Sequence, residues 1–294
     1  MSRTSRAGAL LLSFALLLVA ATAAQAEPRK HRPGQSPAEV AKFWSKDRMV
    51  SAKPRERAKS GGGAARPSGF TSGAVPLPYT GATLTNGKVF FTENGVRYVC
   101  SGTSVTAPSG KSFVWTAGHC VNEGPGDFVT DWMFAPGYVD GTTPHGKWTA
   151  DELVTTSQWQ DAGDFSHDLG GASVVPGEGA SGTLANITTP RPLQFGYSVL
   201  LGSTRFTSFG YPAAGKFNGQ RLRFCDSAVQ RRDAGDPQPM GIGCDMTGGS
   251  SGGGWVASTG AVGSVNSYGY SGLKNVMFGP FQGAVAQQLY ASLG

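Results

Sequence analysis

Apolar and polar positions along this 294-residue chain fall into three regimes. Residues 7–20 form one apolar stretch behind Arg3 and Arg6, and Ala24-Gln25-Ala26 follows with small side chains. That order predicts an export signal cleaved before Glu27, and its apolar stretch is too short for a comfortable membrane span. The next regime, to about residue 59, is polar and basic. Within it Val40, Phe43 and Trp44 stand at i, i+3 and i+4, which predicts a short amphipathic helix over 37–48. Ser60-Gly61-Gly62-Gly63-Ala64-Ala65-Arg66-Pro67-Ser68-Gly69 then has the composition of a flexible linker and a processing region.

From about Val75 the pattern changes to short β-prone runs broken by turn residues. Residues 88–100 predict a hairpin turning at Asn94-Gly95. Further strands are predicted at 112–116, 170–175, 198–201, 206–210, 221–225, 254–257 and 261–265. Helical spacing returns at the end, where Phe281, Val285 and Leu289 recur every four residues and predict a C-terminal helix. About 220 residues of short strands suffice for one all-β unit or for two packed barrels of roughly a hundred residues each. The expected division is 1–26 signal peptide, 27–74 propeptide and linker, and 75–294 the functional domain. We read the leader as a propeptide that docks its apolar face, rather than as a disordered basic arm, because it lies between an export signal and a self-sufficient domain.

Charge changes this picture only after it is divided. The formal net charge is +6, but residues 27–67 hold eleven Lys/Arg against four Asp/Glu, and the body from residue 68 carries a net −3. The basic excess therefore gives no support to nucleic-acid binding. The four cysteines, Cys100, Cys120, Cys225 and Cys244, are an even number in an exported chain, which favours two disulfides. Three pairings are possible. Proximity favours Cys100–Cys120 and Cys225–Cys244, each closing a loop worth roughly 3 kcal/mol. No Cys-x-x-Cys or His-x-x-x-His spacing offers a zinc site, so neither metal nor cofactor is expected.

Two strings carry the chemistry. Thr116-Ala117-Gly118-His119-Cys120 ends the apolar run Phe113-Val114-Trp115, and Thr247-Gly248-Gly249-Ser250-Ser251-Gly252-Gly253 sets serines among glycines. Hydrolysis through a serine requires a base for the hydroxyl proton, a carboxylate to fix the base's tautomer, and N–H donors for the oxyanion. His119 is the candidate base: of the other histidines, His31 lies in the leader, His145 in a loop, and His167 beside an aspartate with which it can pair locally. Ser251 is the candidate nucleophile, with the N–H groups of Gly249 and Ser251 as oxyanion donors, and Ser250 is the alternative within the motif. Asp161, Asp164 and Asp168 crowd one stretch. Asp168 leads into the apolar run Leu169-Gly170-Gly171-Ala172-Ser173-Val174-Val175 and suits the orienting role best.

With these residues in view, the sequence resembles the chymotrypsin-like (trypsin-like) serine peptidases, and among them the secreted bacterial glutamyl-endopeptidase-like branch. Cys100-Ser101-Gly102 with Thr116 to Cys120 looks like the family's disulfide-anchored histidine, His167-Asp168-Leu169 like its aspartate motif, and the serine string like that of the glutamyl branch. The order His, Asp, Ser is also the family's. The resemblance spans about residues 75–290. It implies two packed six-stranded antiparallel β-barrels, the triad between them, a short C-terminal helix and a secreted precursor. Ser250 stands where the digestive members carry an aspartate that binds a new N-terminus, so that activation switch is missing.

For specificity the resemblance implies that Asp245 lines the base of the primary pocket and selects Lys or Arg, unless it turns away beside the Cys244 bridge. Asn266, Ser267 and Tyr268 are expected to form the wall along which substrate backbone pairs. Val265, placed where glutamyl-specific members carry a histidine, disfavours acidic specificity. The expected partners are protein or peptide substrates, with no nucleic acid, no membrane after signal removal, and a monomeric state. A catalytically silent, peptide-binding relative is the alternative function. An α/β-hydrolase esterase is excluded because no histidine follows Ser251.

Overall fold

The computed structural model describes residues 27–61, 67 and 69–293; the predicted signal at 1–26 and most of the linker, 62–66 and 68, lie outside them. The N-terminal segment has structure of its own. A strand β1 (Arg29–His31) is followed by helix α1 (Pro37–Phe43) and helix α2 (Lys46–Ser51). Ser36 opens α1 with a reciprocal capping box: its hydroxyl accepts from Glu39 N, while the Glu39 carboxylate accepts from Ser36 N at 2.8 Å. The single helix predicted over 37–48 is two, because Ser45 caps a second one, its hydroxyl accepting from Arg48 N. Two short extended pieces, β2 (Lys53–Pro54) and β3 (Ala58–Lys59), lead towards the linker.

Beyond the linker, β4 (Thr71–Ala74) precedes the hairpin of β5 (Asn86–Glu93) and β6 (Val96–Val105). Its turn residues Asn94 and Gly95 have φ of 50° and 75°, the left-handed pair that a two-residue connection needs. Then come β7 (Phe113–Thr116), β8 (Thr130–Pro136), β9 (Trp148–Thr155), helix α3 (Ser157–Ala162) and β10 (Gly170–Pro176). Strands β9-β10-β7-β6-β5-β8 pair in that order, all antiparallel, and β8 pairs back to β9 to close a six-stranded barrel.

A second sheet holds β11 (Arg205–Gly210), β12 (Arg223–Arg232), β13 (Met240–Gly243), β14 (Gly254–Val256), β15 (Val262–Val265), β16 (Tyr268–Tyr270) and β17 (Leu273–Gly279). Its order is β15-β14-β11-β12-β13-β17-β16, and β4 adds to β12. Helix α4 (Ala284–Ala291) ends the chain, beginning after Phe281 rather than at it. Disulfides join Cys100 to Cys120 and Cys225 to Cys244, with Cα–Cα distances of 6.1 and 5.3 Å. Residues 198–201, predicted as a strand, form a turn with Leu200 and Leu201 exposed, because Gly202 takes φ 78° and Thr204 N bonds back to Leu200 O.

Alternation along β5 shows what the first sheet packs against. Val89 and Phe91 point into the barrel core with Trp115, Phe134 and Leu153. Phe90 points outward, yet it is fully buried, because Val40, Trp44 and Met49 of the N-terminal helices cover it together with Val99, Met133 and Tyr138. The Trp44 and Phe90 rings lie 5.3 Å apart, and the Trp44 indole N–H donates to Asp131 O. Burying these three leader side chains contributes on the order of 2 kcal/mol each. No helix among the described residues is long and apolar enough to cross a membrane.

Candidate active site

His119 sits in a single 3₁₀ turn, Gly118–Cys120, directly after β7. Two constraints fix that turn. Cys120 is tied to Cys100 of β6, and a side chain at Gly118 would come within 2.8 Å of Trp159 and 3.0 Å of Asp168 Oδ1. Asp168 follows a second 3₁₀ turn, Phe165–His167, and is fully buried at the head of β10. Its Oδ1 accepts from His119 N at 2.8 Å, its Oδ2 lies 2.8 Å from His119 Nδ1, and the Ser267 hydroxyl donates to the same Oδ2. Burial alone would raise the Asp168 pKa. The neighbouring His119 charge and the hydrogen bonds from His119 and Ser267 outweigh burial and hold the carboxyl below its ordinary value. An ionised carboxylate fixed to Nδ1 leaves Nε2 as the working nitrogen of the imidazole.

The other two aspartates of that stretch are engaged elsewhere. Asp161 pairs with Arg29, and Asp164 takes His167 Nδ1 at 2.9 Å. His145 accepts from the Trp148 indole through its backbone carbonyl, at 3.1 Å.

The serine loop packs onto the segment that carries His119. Ser101 N donates to Ser251 O at 2.7 Å, and a side chain at Gly252 would strike Thr116 Oγ1 at 1.9 Å. Gly249 has φ 93° and no room beside Tyr211 O, so its N–H can be aimed only by a glycine. The two serines are in different situations. The Ser250 hydroxyl donates to Thr247 O at 2.8 Å inside the loop, whereas the Ser251 hydroxyl faces the cleft. There it donates to the carbonyl of Arg55, at 3.4 Å, and Gly249 N donates to the same oxygen at 3.0 Å. His119 Nε2 is buried without a hydrogen-bond partner.

The remaining sequence-selected residues separate. Asn266 turns from the cleft: its Nδ2 donates to Ser250 O and Phe209 O, both at 3.0 Å, and its Oδ1 accepts from Ser208 and the Trp255 indole. It braces the serine loop from behind. Ser267 and Tyr268 line a cavity of about 60 Å³ beside Ser251, together with Met246, Thr247, Val276 and Met277. Asp245 is not among its lining residues; it pairs with Lys216 at 2.7 Å and lies against Cys225 Sγ. A surface depression of about 840 Å³ between α1 and Pro176 to Glu178 lies at the seam of the leader, and none of His119, Asp168 and Ser251 lines it.

Sequence reasoning missed several supports of this site. Ser267 was expected in the substrate wall and not as a donor to Asp168, and the Trp159 ring 6.0 Å from His119 and the buried Glu93 paired with Arg55 were not singled out. Only Trp159 left a signal, as a large apolar residue in the polar stretch before the aspartates. Cys100, His119 and Cys120 offer donor atoms within 4.8 Å of one another, but both sulfurs are bonded to each other, which leaves one ligand and no metal centre there.

Neither a family model nor a curated protein matches this sequence. Solved structures do. The protease Anisep from Arthrobacter nicotinovorans is 40% identical over 76% of this chain and 99% of its own, with a TM-score of 0.67. The thermostable serine protease AL20 from an extremophilic microorganism is 40% identical over 71% of this chain and 96% of its own, with a TM-score of 0.64. A Glu endopeptidase, 20% identical over 78% of this chain and 99% of its own with a TM-score of 0.59, shares the fold. Such identity over nearly the full length of two proteases, on one fold, means that this chain belongs to the bacterial chymotrypsin-like serine proteases and is a serine endopeptidase.

Proposed function

We propose that the chain is a secreted precursor, with a signal at 1–26 and a propeptide and linker over 27–74, whose body hydrolyses peptide bonds through Ser251, His119 and Asp168. The observation that carries this reading is the double hold of Asp168 on His119, at N and at Nδ1, with Nε2 left unpartnered beside the serine loop. His119 Nε2 takes the Ser251 proton as the oxygen attacks the substrate carbonyl. Gly249 N–H and Ser251 N–H receive the oxyanion, and His119⁺ then protonates the departing amine. Water repeats the cycle on the acyl-enzyme. The ionised Asp168 stabilises the imidazolium in both halves.

For the residue before the scissile bond, the cavity favours an uncharged side chain. Met246, Val276 and Met277 line it, while the Asp245 carboxylate is taken by Lys216. A preference for Lys or Arg needs Asp245 to exchange Lys216 for the substrate cation. A fluorogenic peptide library on the processed protein decides between them. Cleavage after Lys or Arg that is lost in Asp245→Asn establishes the charged pocket, and cleavage after apolar residues that is unchanged in that variant establishes the other. Ser251→Ala should remove activity by about 10⁴-fold or more in either case. Absence of any Ser251-dependent cleavage would leave a binding protein on a peptidase fold.

A further inference from the structure

The catalytic cleft is occupied by the chain itself. Lys53–Pro54 pairs in parallel with Tyr98 and Val99 of β6, and Arg55 N donates to Val99 O at 2.9 Å. Ala58–Lys59 pairs in parallel with Gly269 and Tyr270 of β16, and Gly269 N donates to Arg57 O at 3.3 Å. Between these ladders the Arg55 carbonyl rests on Gly249 N and the Ser251 hydroxyl. The segment therefore crosses from the first sheet to the second, over the nucleophile.

We infer that residues 53–59 are a peptide ligand bound in the direction opposite to a substrate, so that they block the cleft without being cut and go on blocking it after the linker is severed. The inference rests on the reading of Ser251 as nucleophile. In a productive complex, the residue that owns the bound carbonyl places its side chain in the cavity beside Ser251. The amine half leaves on the first-sheet side, where the Cys100–Cys120 bridge holds His119 to protonate it. Here the order is inverted. The Arg55 side chain runs to Glu93, at 2.6 Å, and over the Tyr98 ring of β6. The residues against the cavity are Glu56 and Arg57, which follow the carbonyl. The nitrogen of the Arg55–Glu56 bond thus heads into the pocket side, away from its proton donor. The Ser251 hydroxyl donates to the carbonyl oxygen, at 3.4 Å.

Charge selects this ligand. Alternate residues Arg55, Arg57 and Lys59 each meet an acceptor on the body. Arg55 takes Glu93; Arg57 donates to Glu123 O and lies over Trp159; Lys59 takes Asp233 at 3.0 Å and lies 4.3 Å from the centre of the Tyr268 ring. The basic leader and the acidic body, which the charge division separates in the sequence, face one another at the cleft. The ligand class is an extended basic peptide with cations at every second position.

The test uses the full chain with a site-specific protease site placed at 62–66 and a fluorophosphonate that labels an active serine. The uncut chain, and the chain cut but kept concentrated, should label about 100-fold more slowly than the cut chain after dilution lets the leader leave. Mass spectrometry should find the Arg55–Glu56 bond intact throughout. Equal labelling of the uncut and the cut, diluted chains would overturn the inference while leaving the enzyme reading in place. So would scission of Arg55–Glu56 in the wild type but not in Ser251→Ala, since that bond would then lie in the substrate direction. Labelling that is Ser251-independent or absent in every state would instead overturn the enzyme reading, and the inference with it.

Discussion

The leader holds the body in two chemically different ways. Its helices bury Val40, Trp44 and Met49 against the outer face of the barrel, a contact made by apolar side chains with little charge. Its strap over 53–59 buries little apolar surface and binds by two parallel ladders and three cations. Hydrophobic burial is indifferent to direction and weakly dependent on salt, whereas a ladder with paired charges has a polarity and a register. The helices supply adhesion; the strap supplies the reversed geometry over Ser251 from which inhibition is inferred. Loosening the two should therefore give different signatures.

The largest effect belongs to the helices. Trp44→Ala should destabilise the full chain by about 3–5 kcal/mol, read from urea unfolding, by opening a cavity against Phe90 and orphaning Asp131 O. In the strap, Arg55→Gln leaves Glu93 without its partner. Burial already lifts the Glu93 carboxyl, and Arg55 and Arg57 restrain it. The substitution should cost roughly 1–3 kcal/mol in the same assay, and it should speed serine labelling of the uncut chain where Trp44→Ala reports mainly through unfolding.

A third difference is pH. Lys88 is buried beside the Phe90 and Tyr138 rings, donating to Gly219 O, and burial lowers its pKa from 10.5 to about 7. Between those values the unfolded chain binds more protons than the folded one, so stability should rise with pH through that window. The slope approaches roughly 1 kcal/mol per pH unit, and Lys88→Met should flatten it in unfolding curves taken from pH 7 to 10. Smallest of all, raising salt from 0.05 to 1 M should accelerate labelling of the uncut chain about twofold through the strap and leave the helical contact unchanged. An equal response of both contacts to salt would remove the distinction.

Much of this was legible in the sequence where sterics or spacing leave few options. Asn94-Gly95 announced its hairpin, the glycines around Ser251 marked a loop with no room for side chains, and the cysteine spacing favoured the two bridges. Strand β9 was missed because Asp151 and Glu152 interrupt its apolar run on the side facing β1 and solvent, with Glu152 reached by Arg32. Residues 198–201 misled because an apolar run beside a glycine reads equally as strand or turn. Asn266 and Asp245 could not be oriented at all: a position in a motif fixes the backbone, while the partner of a side chain depends on Trp255 or Lys216, remote in sequence or in another loop. The strap was hidden most completely. Arg55, Arg57 and Lys59 stand in a stretch that reads only as polar and basic, and their ladder uses backbone groups that every residue carries.

The outer face of the barrel has one more consequence. Phe90, Val99, Met133 and Tyr138 share one buried cluster with Val40, Trp44 and Met49 of α1, α2 and the residue between them. A body that sheds its leader would expose apolar surface on this face, of the kind that folded monomers seldom leave bare. Shedding the leader would then alter solubility and company as well as activity: the body would have to keep the helices as a bound fragment, pair that face with another surface, or remain prone to self-association.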